Sequence, residues 1–144
     1  EWPGWVANPA DAAEKLVATA LRQPDIQALL SPPANSMVLV EQSVESVTRG
    51  AWTSAFIDRL TLVKDGNKVV SAQIVDFKTD KRRESSREEQ DTALRERHFA
   101  QMKAYHNLVC SAFGLPSDKV TVTLVSCPSD GEPRAVPYGM GVKW

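Results

Sequence analysis

The chain has 144 residues, 42% of them hydrophobic and 24% charged, which suits one globular domain with a real core and leaves little room for two large ones. Lys and Arg total 17 against 18 Asp and Glu, so a net charge of −1 supplies no overall field to draw in nucleic acid or an anionic membrane. Any nucleic-acid binding has to be local. No apolar run approaches the roughly 20 residues that cross a bilayer, and the N-terminus lacks a basic-then-apolar signal pattern. Cys110 and Cys127 have no metal-like spacing and read as buried free thiols of a reducing compartment. The start at Glu1 and the apolar stretch running close to Trp144 suggest a piece of something longer.

In chain order, Asn8-Pro9 with Asp11 is a helix start, and the helix is expected to run to about Arg22, where Pro24 stops it. Residues 25–30 form one more turn, and Ser31-Pro32-Pro33-Ala34-Asn35 a loop. Period-two patterning then predicts strands over 37–47, 53–63 and 69–77, the last two joined by a turn at Lys64-Asp65-Gly66-Asn67. Ser85 with Glu88, or Ser86 with Glu89, opens a helix whose apolar face carries Phe99, Met102, Tyr105 or His106, Val109 and Phe113. Gly114 and Pro116 end it. A strand over 120–127, a turn at Pro128-Ser129-Asp130-Gly131 and a short last strand complete an α-β-β-β-α-β order. The expected class is α/β (α+β), a mixed sheet flanked by helices in a single domain over 1–144.

Side chains two apart on a strand share a face, so Asp76 and Lys78 point one way while Val75 and Phe77 point the other. On the preceding strand Asp58 falls in a row with Phe56, Leu60 and Leu62, an acid among core residues that needs a cation or donors. A divalent metal shared by Asp58 and Asp76 would satisfy both. Carboxylate oxygens suit Mg²⁺ or Mn²⁺, and a water near Lys78 would be the nucleophile. Acids in that role need no raised pKa, so ionisation near neutrality is expected. The Asp-x-Lys tripeptide alone is weak, with about 0.5 chance matches expected in a chain of this composition. Context supplies the rest: Asp58 on one strand, a hairpin-sized gap, Asp76-Phe77-Lys78-Thr79 ending the next, and a helix with Gln101 and Tyr105 four apart.

This arrangement, from about Val38 to Cys127, resembles the RecB-like branch of the PD-(D/E)xK nucleases, the nuclease domain that ends RecB- and AddA-type helicase-nucleases. The resemblance implies a restriction-endonuclease-like sheet and Mg²⁺- or Mn²⁺-dependent hydrolysis of DNA, exonuclease-type, in double-strand-break repair and recombination. It implies Asp58, Asp76 and the Phe77 carbonyl as metal ligands and Lys78 as the residue that orients the attacking water. Gln101 and Tyr105 would brace the site and the DNA strand, which is expected to be single-stranded. The implied partners are helicase domains of the same polypeptide or of another subunit, in a bacterial, cytoplasmic, DNA-associated setting without a membrane. Two departures stand out: Ala55 occupies a position where the family usually has Gly, and no His precedes His98, whereas the family carries a metal-binding His on an upstream helix.

Plainer readings stand beside these. Asp58 can pair with Arg59 as a structural acid, Asp76 and Lys78 can form a surface ion pair, and Tyr105 can be core with its hydroxyl at the rim. Arg59 or Gln101 is a candidate to hold the scissile phosphate, and Glu41 on the first strand either supports the metal or is structural. Lys81, Arg82 and Arg83 are candidate phosphate contacts, or part of a solvated, salt-bridged helix start. His98 and His106 are too far apart on one helix to share a metal. The rival function is a non-catalytic nuclease-fold module that binds DNA or supports a helicase. A free-standing restriction or repair nuclease is a third.

Overall fold

The structure, a computed structural model, describes residues 18–81, 86–128, 131–139 and 141–144. It is a mixed α/β fold: a five-stranded sheet of order β1-β2-β3-β4-β5 with helices on both faces, compatible with the restriction-endonuclease-like arrangement expected. The strands are β1 (Ser36–Thr48), β2 (Ala51–Asp65), β3 (Lys68–Lys78), β4 (Val120–Ser126) and β5 (Arg134–Pro137). The helices are α1 (Pro24–Leu30) and α2 (Arg87–Phe113), with a 3-10 turn at Ser117–Lys119. The start of the first expected helix lies outside the described residues. Residues 18–21 are helical, and the chain turns at Arg22 ahead of Pro24.

Both hairpins turn in two residues. Gly66 carries φ +62 between the paired Asp65 and Lys68, and Arg49 and Gly50 both have positive φ (52 and 75) between Thr48 and Ala51. Two consecutive positive φ values match the right-handed twist of a hairpin. This second turn escaped the sequence pattern because Arg is rare in that conformation. β3 and β4 pair in parallel, which requires the long crossover that α2 provides.

The sheet buries both faces. On one, Leu60, Leu62, Ile74 and Leu124 pack against Leu94, Met102 and Val109 of α2. On the other, Val75, Val125 and Cys127 pack against Ala20 and Ile26. Asp25 locks α1 down, its Oδ2 accepting the Ala135 N–H of β5 at 2.8 Å. Arg134, also on β5, is buried and pairs with Asp91 at the start of α2.

Of the two capping boxes open to the sequence, the chain forms the one at Ser86. Its hydroxyl accepts the Glu89 N–H at 3.1 Å, and its own N–H reaches the Glu89 carboxylate at 3.3 Å. Gly114, with φ +63, ends α2 in the left-handed conformation. Ser86→Ala removes the acceptor for an orphan N–H, and is expected to cost about 1 kcal/mol in urea unfolding.

β2 is two ribbons in one strand. Residues 59–63 lie between β1 and β3, whereas residues 51–57 pair with β1 alone. β3 meanwhile continues beside β4 as far as Lys78 and Ser126. The sheet therefore forks after Arg59 and Val75, and Asp58 and Asp76 stand on its two prongs.

The inward face also changes phase at the fork. Leu39 and Leu60 face α2 below it, but above it Val44 and Ile57 do. Glu41, at the crossing, has φ +52. A residue in that conformation breaks the pleat's alternation, so the side chains after it exchange faces. The expected row of Phe56, Asp58, Leu60 and Leu62 is thereby corrected: Leu60 and Leu62 are buried, while Phe56 faces outward and is 60% exposed.

Candidate active site at the sheet fork

At the fork, β2 brings in Asp58 and β3 brings in Asp76 and Lys78, while α2 covers them with Gln101 and Tyr105. The Phe77 N–H donates to Asp58 Oδ2 at 2.9 Å. That bond ties the free prong of β2 to β3 and holds Phe77 beside both acids. Lys78 Nζ lies 2.7 Å from Asp76 Oδ2 and donates to Gln101 Oε1 at 2.8 Å. Gln101 Nε2 in turn donates to the Tyr105 hydroxyl at 3.1 Å. Gln101 and Tyr105 are one turn apart on α2, and the relay runs from acid to amine to amide to phenol.

Asp76 is the most buried member, 3% exposed. Burial, together with the charge of Asp58 and a hydrogen bond shared with it, pushes the Asp76 carboxyl above the usual carboxylate range despite the Lys78 ammonium. Asp76 is thus harder to ionise than an ordinary carboxylate, because both acids stand at one fork under a helix. Asp76 Oδ2 is shut off from solvent, and the Lys78 ammonium at 2.7 Å is its partner. Burial and the charges of Asp76 and Asp58 also raise the Tyr105 phenol, whereas Gln101 lowers it.

These atoms suit a hard cation. Two neighbouring carboxylates, one of them buried, are what Mg²⁺ uses when waters and phosphate oxygens fill its remaining positions. Among the described residues no group of three or more His, Cys, Asp or Glu side chains converges. Among the described residues, the carboxylates that meet at the fork are those of Asp58 and Asp76.

Other expected residues lie apart. Arg59 reaches across the sheet, where its Nη2 donates to the Leu30 carbonyl at the end of α1 at 2.8 Å, so it braces α1 instead of facing the fork. Glu41 is exposed, and the β1–β2 register sets its backbone opposite Asp58, between the pairs Val40–Arg59 and Gln42–Ile57. Lys81 is exposed just past β3, while Arg82 and Arg83 lie outside the described residues. His106 is buried, its ring stacked on Trp144 at 4.6 Å and its Nε2 3.0 Å from the Ser117 carbonyl.

Asp80 was not foreseen. Its carboxylate meets Arg97 Nη1 at 2.8 Å and His98 Nε2 at 3.0 Å, pinning the segment after Lys78 to the α2 turn before Gln101. Burial works against its charge, yet the bonds from Arg97 and His98 hold its carboxyl below the usual range. Nothing in local spacing marks partners 17 and 18 residues apart.

No protein-family model and no curated protein matches this chain, so the reading of the fork rests on its own geometry and on the resemblance of its motif.

Proposed function

We propose that the fork is the active site of a metal-dependent nuclease that hydrolyses DNA phosphodiesters, exonuclease-type, as the nuclease module of a helicase-nuclease of double-strand-break repair. The observation that carries this reading is the meeting of Asp58, Asp76, Lys78 and Gln101, from three elements, around one buried carboxylate, that of Asp76. Holding two carboxylates and an amine together in a half-buried place is costly unless chemistry uses them. The motif Asp76-Phe77-Lys78-Thr79 and its similarity to RecB-like nucleases supply the reaction class.

Asp58 and Asp76 would hold the ion, with the Phe77 carbonyl as a further oxygen. When bound, Mg²⁺ or Mn²⁺ neutralises charge on the phosphate and lowers the pKa of water. Lys78, fixed between Asp76 and Gln101, offers its remaining donor capacity to the attacking water and aligns it with the phosphorus. Tyr105 keeps the Gln101 amide turned toward Lys78. In the full protein, helicase domains would deliver one strand to this fork.

The two roles separate by mutation. Asp58→Ala is expected to lose both Mg²⁺ binding by calorimetry and cleavage of labelled single-stranded DNA. Lys78→Met should keep metal binding and lose about 10²–10³-fold in rate. A Lys78→Met protein that cuts like the parent removes Lys78 from the chemistry. A parent chain that neither binds metal nor cuts, even when extended upstream by a helix bearing His, returns the function to a non-catalytic DNA-binding or supporting module.

A further inference from the structure

Among the described residues, none packs on the outward face of the β1–β2 ribbon beyond the fork. Cross-strand partners share a face, so Ser43, Glu45 and Val47 lie beside Phe56, Ser54 and Trp52. All six are exposed, whereas Val44 and Ile57 on the reverse are buried against the α2 side. Trp52 is 67% exposed and Phe56 60%. Phe77, across the fork and next to Asp76, is 42% exposed. Burial is what usually holds a Trp and two Phe in place, and these three have little of it.

We infer that this face is a stacking track for the unpaired bases of single-stranded DNA, leading from the hairpin tip to the fork. The inference rests on the nuclease reading only for where the track leads. Its pattern favours bases over a protein partner. Along β2 the aromatic rings alternate with a hydroxyl (Trp52, Ser54, Phe56) and stand roughly 13 Å apart. On β1, Ser43 lies beside Phe56, Glu45 beside Ser54 and exposed Val47 beside Trp52, so a hydroxyl and a carboxylate interrupt the apolar surface between the two rings. A protein interface has a contiguous core depleted of charge. Single strands instead meet separated aromatic platforms, on which every base can stack whatever its sequence, with cations beside them for phosphate. Exposed Arg49 at the tip and exposed Lys81 past the fork stand at the two ends of the row. The phase change at Glu41 is what turns Phe56 outward and makes the row continuous with the fork.

The test is anisotropy titration of a labelled short oligothymidylate with the full chain in EDTA, beside an abasic strand of the same length. Since no metal is present, the outcome does not depend on catalysis. The parent should bind the thymidylate more tightly than the abasic strand. Trp52→Ala and Phe56→Ala should each weaken thymidylate binding about 5- to 100-fold and leave abasic binding unchanged. Trp52→Phe should restore most of the affinity. Both positions are exposed, so unchanged circular dichroism will confirm folding. Equal affinity for the two strands, or unchanged affinity in both Ala variants, overturns the track. So does sedimentation showing that the parent self-associates and that Trp52→Ala abolishes it, which makes the face a protein interface. If the stacking signature holds but Mg²⁺ brings no cleavage, the track stands and the nuclease reading falls.

Discussion

In buffer with a chelator, the Asp76→Asn variant is expected to melt above the parent chain, and in Mg²⁺ only the parent should gain stability. Burial and the neighbouring Asp58 raise the Asp76 carboxyl, so ionising it is harder in the folded chain than in the unfolded one. The stability supplied by the protonated form is fully present below the unfolded-state value near 3.8 and is lost as pH rises through the higher folded-state value. At neutral pH the parent therefore carries an unfavourable charge that Asn removes, while the Asn oxygen still faces Lys78. The advantage of the variant should grow as pH climbs from about 4.

A bound cation reverses the ranking because it stabilises only a fold that binds it. The gain is about 2.7 kcal/mol when free Mg²⁺ is a hundredfold above its dissociation constant. Cleavage by Asp76→Asn should fall at least about 10²–10³-fold. Scanning calorimetry at two pH values, with and without Mg²⁺, reads all of this. A variant less stable than the parent in chelator would mean that the Lys78 pair outweighs burial. A variant that still gains stability from Mg²⁺ would remove Asp76 from the ligand set. Such an opposition of stability and function is what an active site shows when its acids are held ready for a ligand.

The sequence carried the elements well because their signals are local. Strand patterning placed β1 to β4 within one or two residues, and Ser86, Glu89 and Gly114 marked the ends of α2. Strand alternation sets Asp76 and Lys78 on one face, whereas the meeting of Gln101 and Tyr105 with them is implied by the family resemblance and not by local spacing. What stayed hidden depends on backbone conformation and distant pairing. Glu41 at φ +52 exchanges the faces of both strands, and no residue type announces that. Simple alternation therefore turns Phe56 inward, whereas it is 60% exposed, and the reach of Arg59 to the end of α1 is a contact between residues 29 apart in the chain. The Asp80 clamp on Arg97 and His98 joins a loop to a helix, and becomes visible only once α2 lies on the sheet.

Met102→Ala is expected to carry the largest stability loss, about 2–5 kcal/mol, and to lower cleavage even though Met102 touches no reacting group. Met102 follows Gln101 on α2, is fully buried, and belongs to the cluster formed with Leu60, Ile74 and Leu124 on the sheet face below. Truncation leaves a cavity where the helix is pressed onto the strands. For a chain of this size the midpoint should fall by about 2–4 °C per kcal/mol. The helix then settles or tilts, and the 2.8 Å contact from Lys78 to Gln101 depends on its present height. With that contact lengthened, Lys78 has only Asp76 to orient it. The rate should fall while Mg²⁺ binding by Asp58 and Asp76, both on strands, persists. Met102→Leu, which nearly conserves volume, should cost under about 1.5 kcal/mol and restore the rate. Denaturant melts, calorimetric Mg²⁺ titration and cleavage on the same three proteins provide the check. A Met102→Ala chain that is destabilised yet cuts at the parental rate would show that Gln101 has no part in setting Lys78.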